Sequence, residues 1–311
     1  MAISDLDTLK TAREWHRAGH RVALATVTKT WGSAPRRIGS HLAIRDDGLF
    51  EGSVSGGCVE GDVVTEAQNL ITGARTLEYG VADASAWAVG LGCGGQISIL
   101  VQRLADDGFP SALIDRLITA AATGEAVTLT TNPETGLTRE GPGDDTSFNR
   151  PYPPPRRLAI IGAVHIAQAL VPLAINLGIT PTVIDPRGLF AADSRFAGLD
   201  LDRRWPDEAL AEWQPNAASA IVALTHDPKL DDVALAAALN SPAFYIAALG
   251  SRKNHAGRLD RLRAQGFDDT ALSRIHGPAG LHIGAADPAE IALSIAAQMT
   301  AAWRGALTPK P

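Results

Sequence analysis

The 311-residue chain predicts an α/β protein in two parts, an α+β first half followed by a doubly wound parallel sheet. Three observations predict this. In the first half, alternating apolar residues mark strands that are separated by hairpin turns and helix-period stretches. In the second half, Leu158–Ile161, Thr182–Ile184, Ala220–Leu224 and Tyr245–Leu249 are short and almost wholly apolar, as strands buried on both faces are. Helical patterns fall between and after them, the alternation that builds parallel sheets. Between the halves, Arg139–Pro155 (REGPGDDTSFNRPYPPP) is rich in Pro, Gly and polar residues and has no period, so it reads as a linker. The expected divisions are 1–138, 139–155 and 156–311.

Taken in order, Asp5–Ala18 has helical spacing and Val22–Thr28 alternates as a strand. His41–Arg45 and Leu49–Val54 flank Asp46-Asp47-Gly48, a hairpin turn. Val59, Val63, Ala67, Leu70 and Ile71 repeat at helical spacing, and Ile97, Ile99 and Val101 alternate. Ala112–Ala122 is helical, and Val127–Thr131 with Asn132–Gly136 starts a hairpin. After the linker, helices are expected around Ile166–Leu177, Leu230–Leu239, Arg258–Ala264 and Ala289–Ala302. Strand followed by helix, repeated, is the Rossmann-like arrangement.

Bulk composition excludes several classes. A net charge of −6 without a Lys/Arg cluster gives no footprint for nucleic acid or for a membrane surface. Met1–Lys10 lacks the features of a secretory leader, and no apolar run approaches the ~18–20 residues of a membrane span. The chain therefore reads as cytoplasmic, with its two cysteines reduced.

Both cysteines lie among glycines, in Gly52-Ser53-Val54-Ser55-Gly56-Gly57-Cys58 and Gly90-Leu91-Gly92-Cys93-Gly94-Gly95. Glycine permits sharp turns and is expected to leave amide N–H groups facing a ligand. Cys58 precedes a predicted helix, whose N-terminal dipole favours thiolate, while Glu60 and Asp62 in its first turn oppose it. Two alternatives stand beside this reading. Free cysteine is commonly a small core hydrophobe, and zinc would need about four ligands, for which His41 is the only nearby addition. Trp31-Gly32-Ser33-Ala34-Pro35-Arg36-Arg37-Ile38-Gly39-Ser40 adds Ser33 and two guanidinium groups suited to an oxyanion; two solvated arginines in an exposed loop are the plainer alternative. Trp15, Trp87, Trp205, Trp213 and Trp303 read as packing residues.

In the second half, Ile160-Ile161-Gly162-Ala163-Val164-His165 resembles a dinucleotide-binding turn, with Val164 where the middle glycine would admit pyrophosphate. That valine argues against NAD(P) in the ordinary mode. Asp185 stands at the ribose position, with Arg187 beside it, and His165, His226, His255, Arg252 and Lys253 follow strand ends where such sheets bind ligands.

With these motifs in view, the chain resembles the XdhC/CoxI family, the xanthine dehydrogenase accessory proteins. Thr30–Arg36, Gly52–Glu60 and Gly92–Gly95 carry the resemblance in the first half; Thr225-His226-Asp227, Ala248–Arg252 and Gly280-Leu281-His282-Ile283-Gly284 carry it in the second. The resemblance implies a protein that binds the molybdenum cofactor (molybdopterin), protects it during sulfuration with a cysteine desulfurase and delivers it to an apo molybdenum hydroxylase. It implies a chaperone more than a catalyst, working as a homodimer. On this reading Cys58 and Cys93 contact the metal or its sulfur. Ser33, Arg36, Arg37, Ser55, Gly56, Gly57, Gly94 and Gly95 hold the anionic remainder, with Gly162, His165, Asp185, His226 and Arg252 completing the binding set. The competing readings are an NAD(P)-dependent oxidoreductase using the second half and a cysteine-based sulfur transferase.

Overall fold

The computed structural model describes residues 5–32, 36–80, 95–188, 196 and 198–307. The chain divides into two compact units, one spanning residues 2–154 and the other running from residue 155 to the end.

The first unit begins with α1 (Asp5–Arg17), then β1 (Val22–Trp31), the hairpin of β2 (His41–Arg45) and β3 (Phe50–Gly52), α2 (Glu60–Asn69), β4 (Ala74–Tyr79) and β5 (Gln96–Arg103). The five strands form an antiparallel sheet in the order β3-β2-β1-β5-β4. Alternation along β1 sends Val22 and Leu24 to one core, with Leu9 and Ala12 of α1, and sends Ala23, Ala25 and Val27 to the other, with Val63 and Ala67 of α2. Helix α3 (Ser111–Thr123) adds Ile114 and Leu117 to the first of these cores and stops at Gly124, whose φ of 74° is the left-handed cap that glycine supplies.

The expected linker carries two short strands, and the boundary between the units falls near its end. β6 (Val127–Thr131) is the centre of a small antiparallel sheet, flanked by β7 (Thr138–Glu140) and β8 (Phe148–Tyr152). Its Pro-rich, polar composition is that of edge strands, where proline lacks only a donor that would face solvent. Asp144 organises the intervening turn by accepting from the Thr146 N–H and from the hydroxyls of Thr146 and Ser147.

The second unit carries β9 (Arg157–Ile161), α4 (His165–Asn176), β10 (Thr180–Ile184), β11 (Asp200–Asp202), α5 (Pro206–Trp213), β12 (Ser219–Ala223), α6 (Pro228–Leu239), β13 (Tyr245–Ala248), α7 (Arg252–Ala264), α8 (Asp269–Leu272), β14 (Ile275–His276) and α9 (Pro288–Trp303). All six strands are parallel, in the order β11-β10-β9-β12-β13-β14. Leu158 and Ile160 of β9 face α4 and α9, while Ala159 and Ile161 face α5 and α6, so helices cover both faces. Chain order reverses between β9 and β12, the switch point outside which such sheets bind ligands. Caps match the sequence: Asp227 caps α6 ahead of Pro228, and Asp287 with Glu290 forms a capping box at α9. Among the described residues, no helix is long and apolar enough to cross a membrane.

Candidate functional site

In the first unit, the register fixes which loops gather together. Trp31 pairs with Gln96 and Tyr79 with Ile97, so the chain flanking residues 33–35 and 81–94 lies at one end of the sheet. β3 leaves toward the His41 end of β2, with Ser53 N–H bonded to the His41 carbonyl at 3.0 Å. The Cys58 loop therefore emerges toward that same end. Ser33, Cys93 and Gly94 lie outside the described residues; Gly95 is buried just ahead of β5.

Cys58 is exposed, which removes the core-hydrophobe alternative for this residue. Its neighbours Val59 and Glu60 are buried, at 0% and 6% exposure. The Glu60 carboxylate turns back into the loop and accepts five hydrogen bonds. Oε1 receives the Ser53 hydroxyl (2.7 Å) and the N–H groups of Val54 (3.1 Å) and Ser55 (2.9 Å). Oε2 receives the Ser55 hydroxyl and the Gly57 N–H (2.9 Å). Burial alone would raise the Glu60 pKa, but the Ser55 and Ser53 hydroxyls and the Ser55 N–H outweigh it and hold the group at about 2.

The remaining amides are paired as well. Gly56 N–H donates to Ser53 Oγ, while Cys58 and Val59 N–H both donate to Ser55 Oγ. The expectation that Ser55, Gly56 and Gly57 offer free N–H groups is thus corrected. Every amide from Val54 to Val59 is occupied within the loop. Glycine here serves conformation, since Gly56 and Gly57 take φ of 78° and 109°.

Of the two loop arginines, Arg37 pairs with Asp5 at 2.9 Å, and Arg150 reaches the same carboxylate oxygen at 2.8 Å. Arg37 is therefore already engaged. Arg36 is half-buried, and its Nε has no partner among the described residues. His41 is no metal ligand: its Nδ1 meets Thr26 Oγ1 at 2.9 Å and its Nε2 meets the Tyr152 hydroxyl at 2.7 Å. Burial lowers its pKa to about 4; Asp5 opposes that, while Arg150 and Arg37 assist it. Among the described residues, no group of three or more His, Cys, Asp or Glu side chains could hold a metal ion.

In the second unit, Gly162, Asp185 and His226 stand at the switch point. Gly162 has φ of 110°, and a methyl group there would lie 2.7 Å from Thr225 Cγ2, so close strand-end packing requires glycine. Asp185 is wholly buried and saturated, against the ribose-binding expectation. It accepts the Ala163 N–H (2.8 Å), the Arg187 N–H (2.9 Å), and Arg187 Nε and Nη2 (2.9 and 2.8 Å). Burial would raise its pKa, but these bonds lower it on balance.

His226 is exposed and left-handed, with φ of 62°. Buried Asp231 maintains that turn by accepting Thr225 Oγ1 (2.6 Å), Thr225 N–H (3.2 Å) and His226 N–H (3.1 Å). A methyl group on Gly250 would meet His226 Nδ1 at 3.9 Å, so His226 lies beside the turn into α7, where Arg252 is exposed at the first helical position. His165 is exposed at the start of α4, whose cap residue Val164 makes no side-chain capping bond.

The organising residues Glu60 and Asp231 are absent from the sequence-derived binding set. The available signal is positional: Ser53, Ser55 and Glu60 bracket the Gly-Gly-Cys run, and Asp231 sits four residues after the Asp227 cap.

Two family models match the chain, one described as "XdhC and CoxI family" over residues 15–80 and one described as "XdhC Rossmann domain" over residues 158–299. The molybdenum cofactor insertion chaperone PaoD of Escherichia coli K12 is 30% identical over 300 residues, covering 94% of this chain and 86% of that protein. A probable xanthine dehydrogenase subunit of Bacillus subtilis 168 is 27% identical over 310 residues, covering 89% of this chain and 91% of that protein. A crystal structure described as a xanthine dehydrogenase from Bacillus halodurans shares the fold. Its TM-score is 0.77 at 24% identity, covering 99% of this chain and 98% of the other.

Proposed function

Since the chain belongs to the XdhC/CoxI family, we propose that it is a molybdenum cofactor-binding accessory protein that holds the cofactor as cargo and delivers it to an apo molybdenum hydroxylase of the xanthine or carbon monoxide dehydrogenase type. The observation that carries this reading is the exposed Cys58 thiol, mounted on a loop whose amides are all internally paired. A thiolate is a soft ligand suited to a molybdenum–sulfur centre. Because the loop amides are occupied, the anionic phosphate of the pterin falls to side chains, and Arg36, half-buried with an Nε that makes no hydrogen bond among the described residues, is the guanidinium assigned to it. Cys93 is assigned the second thiolate. Sulfuration engages a cysteine desulfurase, the protein works as a homodimer, and it acts in the cytoplasm, where both thiols stay reduced.

The competing oxidoreductase reading is disfavoured by two residues. Val164 occupies the pyrophosphate approach, and Asp185 has its acceptors filled by Arg187 and Ala163. A sulfur-transfer role for the exposed thiol predicts a persulfide on the Cys58 peptide, visible by mass spectrometry.

The test is the molybdenum and pterin content of wild-type, Cys58→Ser, Cys93→Ser and doubly substituted protein purified from a cofactor-producing host. Cys58→Ser is expected to lose at least tenfold of both contents, with an unchanged urea midpoint. Wild-type retention in all three variants would overturn the thiolate role.

A further inference from the structure

Glu60 does more in the Cys58 loop than begin α2, and we propose that it is the positioning residue that presents the Cys58 thiol, acting through Ser55. The Ser55 hydroxyl donates its single proton to Glu60 Oε2 and accepts the N–H groups of Cys58 (3.0 Å) and Val59 (2.9 Å). Its hydrogen-bonding capacity is then full. The carboxylate thereby reaches the backbone of Cys58 through one intervening hydroxyl, while its other bonds fix Ser53, Val54 and Gly57. Glu60 and Val59 are buried and anchored, whereas Gly56, Gly57 and Cys58 are exposed. The exposed thiol stands on a buried frame, and that frame is wound around an anion of the protein's own.

The carboxylate cannot be replaced neutrally. Glutamine keeps one acceptor oxygen but brings an NH2 group to the position where Oε2 meets the Ser55 hydroxyl and the Gly57 N–H, setting donor against donor. Ser55→Ala leaves the Glu60 charge in place and removes only the relay to Cys58 and Val59. The two variants therefore separate the carboxylate from the relay. The consequence for cargo rests on the proposed role of Cys58; the positioning itself is read on the thiol, without cofactor.

The experiment uses the full chain with Glu60→Gln, Ser55→Ala, Cys58→Ser and Glu60→Gln/Cys58→Ser. Alkylation of Cys58 by iodoacetamide is followed on its own peptide by mass spectrometry, alongside amide exchange across residues 54–59. Glu60→Gln is expected to speed exchange at Val54, Ser55 and Gly57 at least tenfold, and to change the alkylation rate at least threefold. Ser55→Ala, the fallback should Glu60→Gln fail to fold, is expected to reproduce the alkylation change with faster exchange at Cys58 and Val59. Molybdenum content in the double variant is expected to match Cys58→Ser within twofold, because both changes remove one interaction. Losses that multiply, or alkylation within twofold of wild type in both single variants, would overturn the positioning role. Full molybdenum retention by Cys58→Ser would overturn the cargo reading instead and leave the alkylation result to decide the role of Glu60.

Discussion

The buried His41 makes the stability of the first unit pH-dependent in a calculable way. Its imidazole is 3% exposed and sits between Thr26 and Tyr152, each within hydrogen-bonding distance of one ring nitrogen. A neutral ring donates from one nitrogen and accepts at the other; a protonated ring would have to donate from both in a site that solvates charge poorly. Burial therefore holds the folded-state pKa at about 4, against an ordinary value of 6.5. The folded form binds the proton more weakly than the unfolded form, so the contribution is fully present above pH 6.5 and is lost as pH falls to 4. Across that window the loss is about 3 kcal/mol, at ~1.4 kcal/mol per pH unit. Between pH 7.5 and 5 it is about 2 kcal/mol, or roughly thirtyfold in an opening equilibrium.

The assay is amide exchange of β1 and β2 in the full chain at those two pH values, corrected for intrinsic exchange and compared between wild type and His41→Gln. Glutamine can donate and accept but does not titrate. Wild-type protection should fall about thirtyfold more than that of the variant over the interval. Glu60 does not confuse the comparison: its carboxylate is held at about 2 against 4.5, so its contribution is lost only as pH falls below 4.5. Parallel pH profiles for the two proteins, or a His41 imidazole titrating near 6.5 by NMR, would refute the reasoning.

Two further outcomes concern the second unit. Asp231→Ala removes three acceptor bonds from the Thr225–His226 turn and takes the carboxylate from Arg258, whose side chain is 5% exposed, lies 3.5 Å from it and keeps the Leu249 carbonyl at 2.9 Å. Burial pushes Asp231 up and Arg258 down, so the pair adds little net stability when intact. Breaking it should nevertheless cost about 3 kcal/mol in urea unfolding, and a loss below ~1 kcal/mol would contradict the account. Gly162→Ala puts a methyl group 2.7 Å from Thr225 Cγ2 at a φ of 110°. It should destabilise by about 2 kcal/mol in the same assay, whereas a neutral result would mean that the strand ends yield.

Periodicity made the two-part α/β plan legible, because strands buried on both faces and helices with an apolar stripe leave opposite signatures. Short elements escaped it. β11 and β14 span only Asp200–Asp202 and Ile275–His276, too few residues for a period to register. The run through β7 and β8 reads as a linker because edge strands share that composition, and the boundary between the two units falls near its end, at Pro154/Pro155. At the candidate site, the glycines around Cys58 pointed to an exposed thiol, yet the amides expected to be free are paired within the loop. Glycine content reports that a backbone can turn; it does not report what the amides then face. That depended on Glu60, whose place in the first turn of α2 suggests dipole chemistry, while its side chain folds back to the loop.

The same physical device recurs in both units. Glu60, Asp185 and Asp231 are each nearly or wholly buried, and each takes backbone N–H groups from a loop beside a strand end. A buried carboxylate with several donors fixes loop geometry without help from ligand, at the cost of filling the amide positions where a phosphate would otherwise bind. In a dinucleotide enzyme those positions belong to the cofactor, which completes the loop when it arrives. Here the Cys58 loop is complete beforehand, and Ala163 N–H at the switch point is already taken. With those amides filled, what these loops expose is side chains: the Cys58 thiol in the first unit and, separately, His165, His226 and Arg252 in the second. Side-chain contacts of this kind can be released without unmaking the loop. That suits a protein whose cargo has to leave intact, and at these loops a hydrogen-bonded backbone and exposed soft or basic side chains occur together.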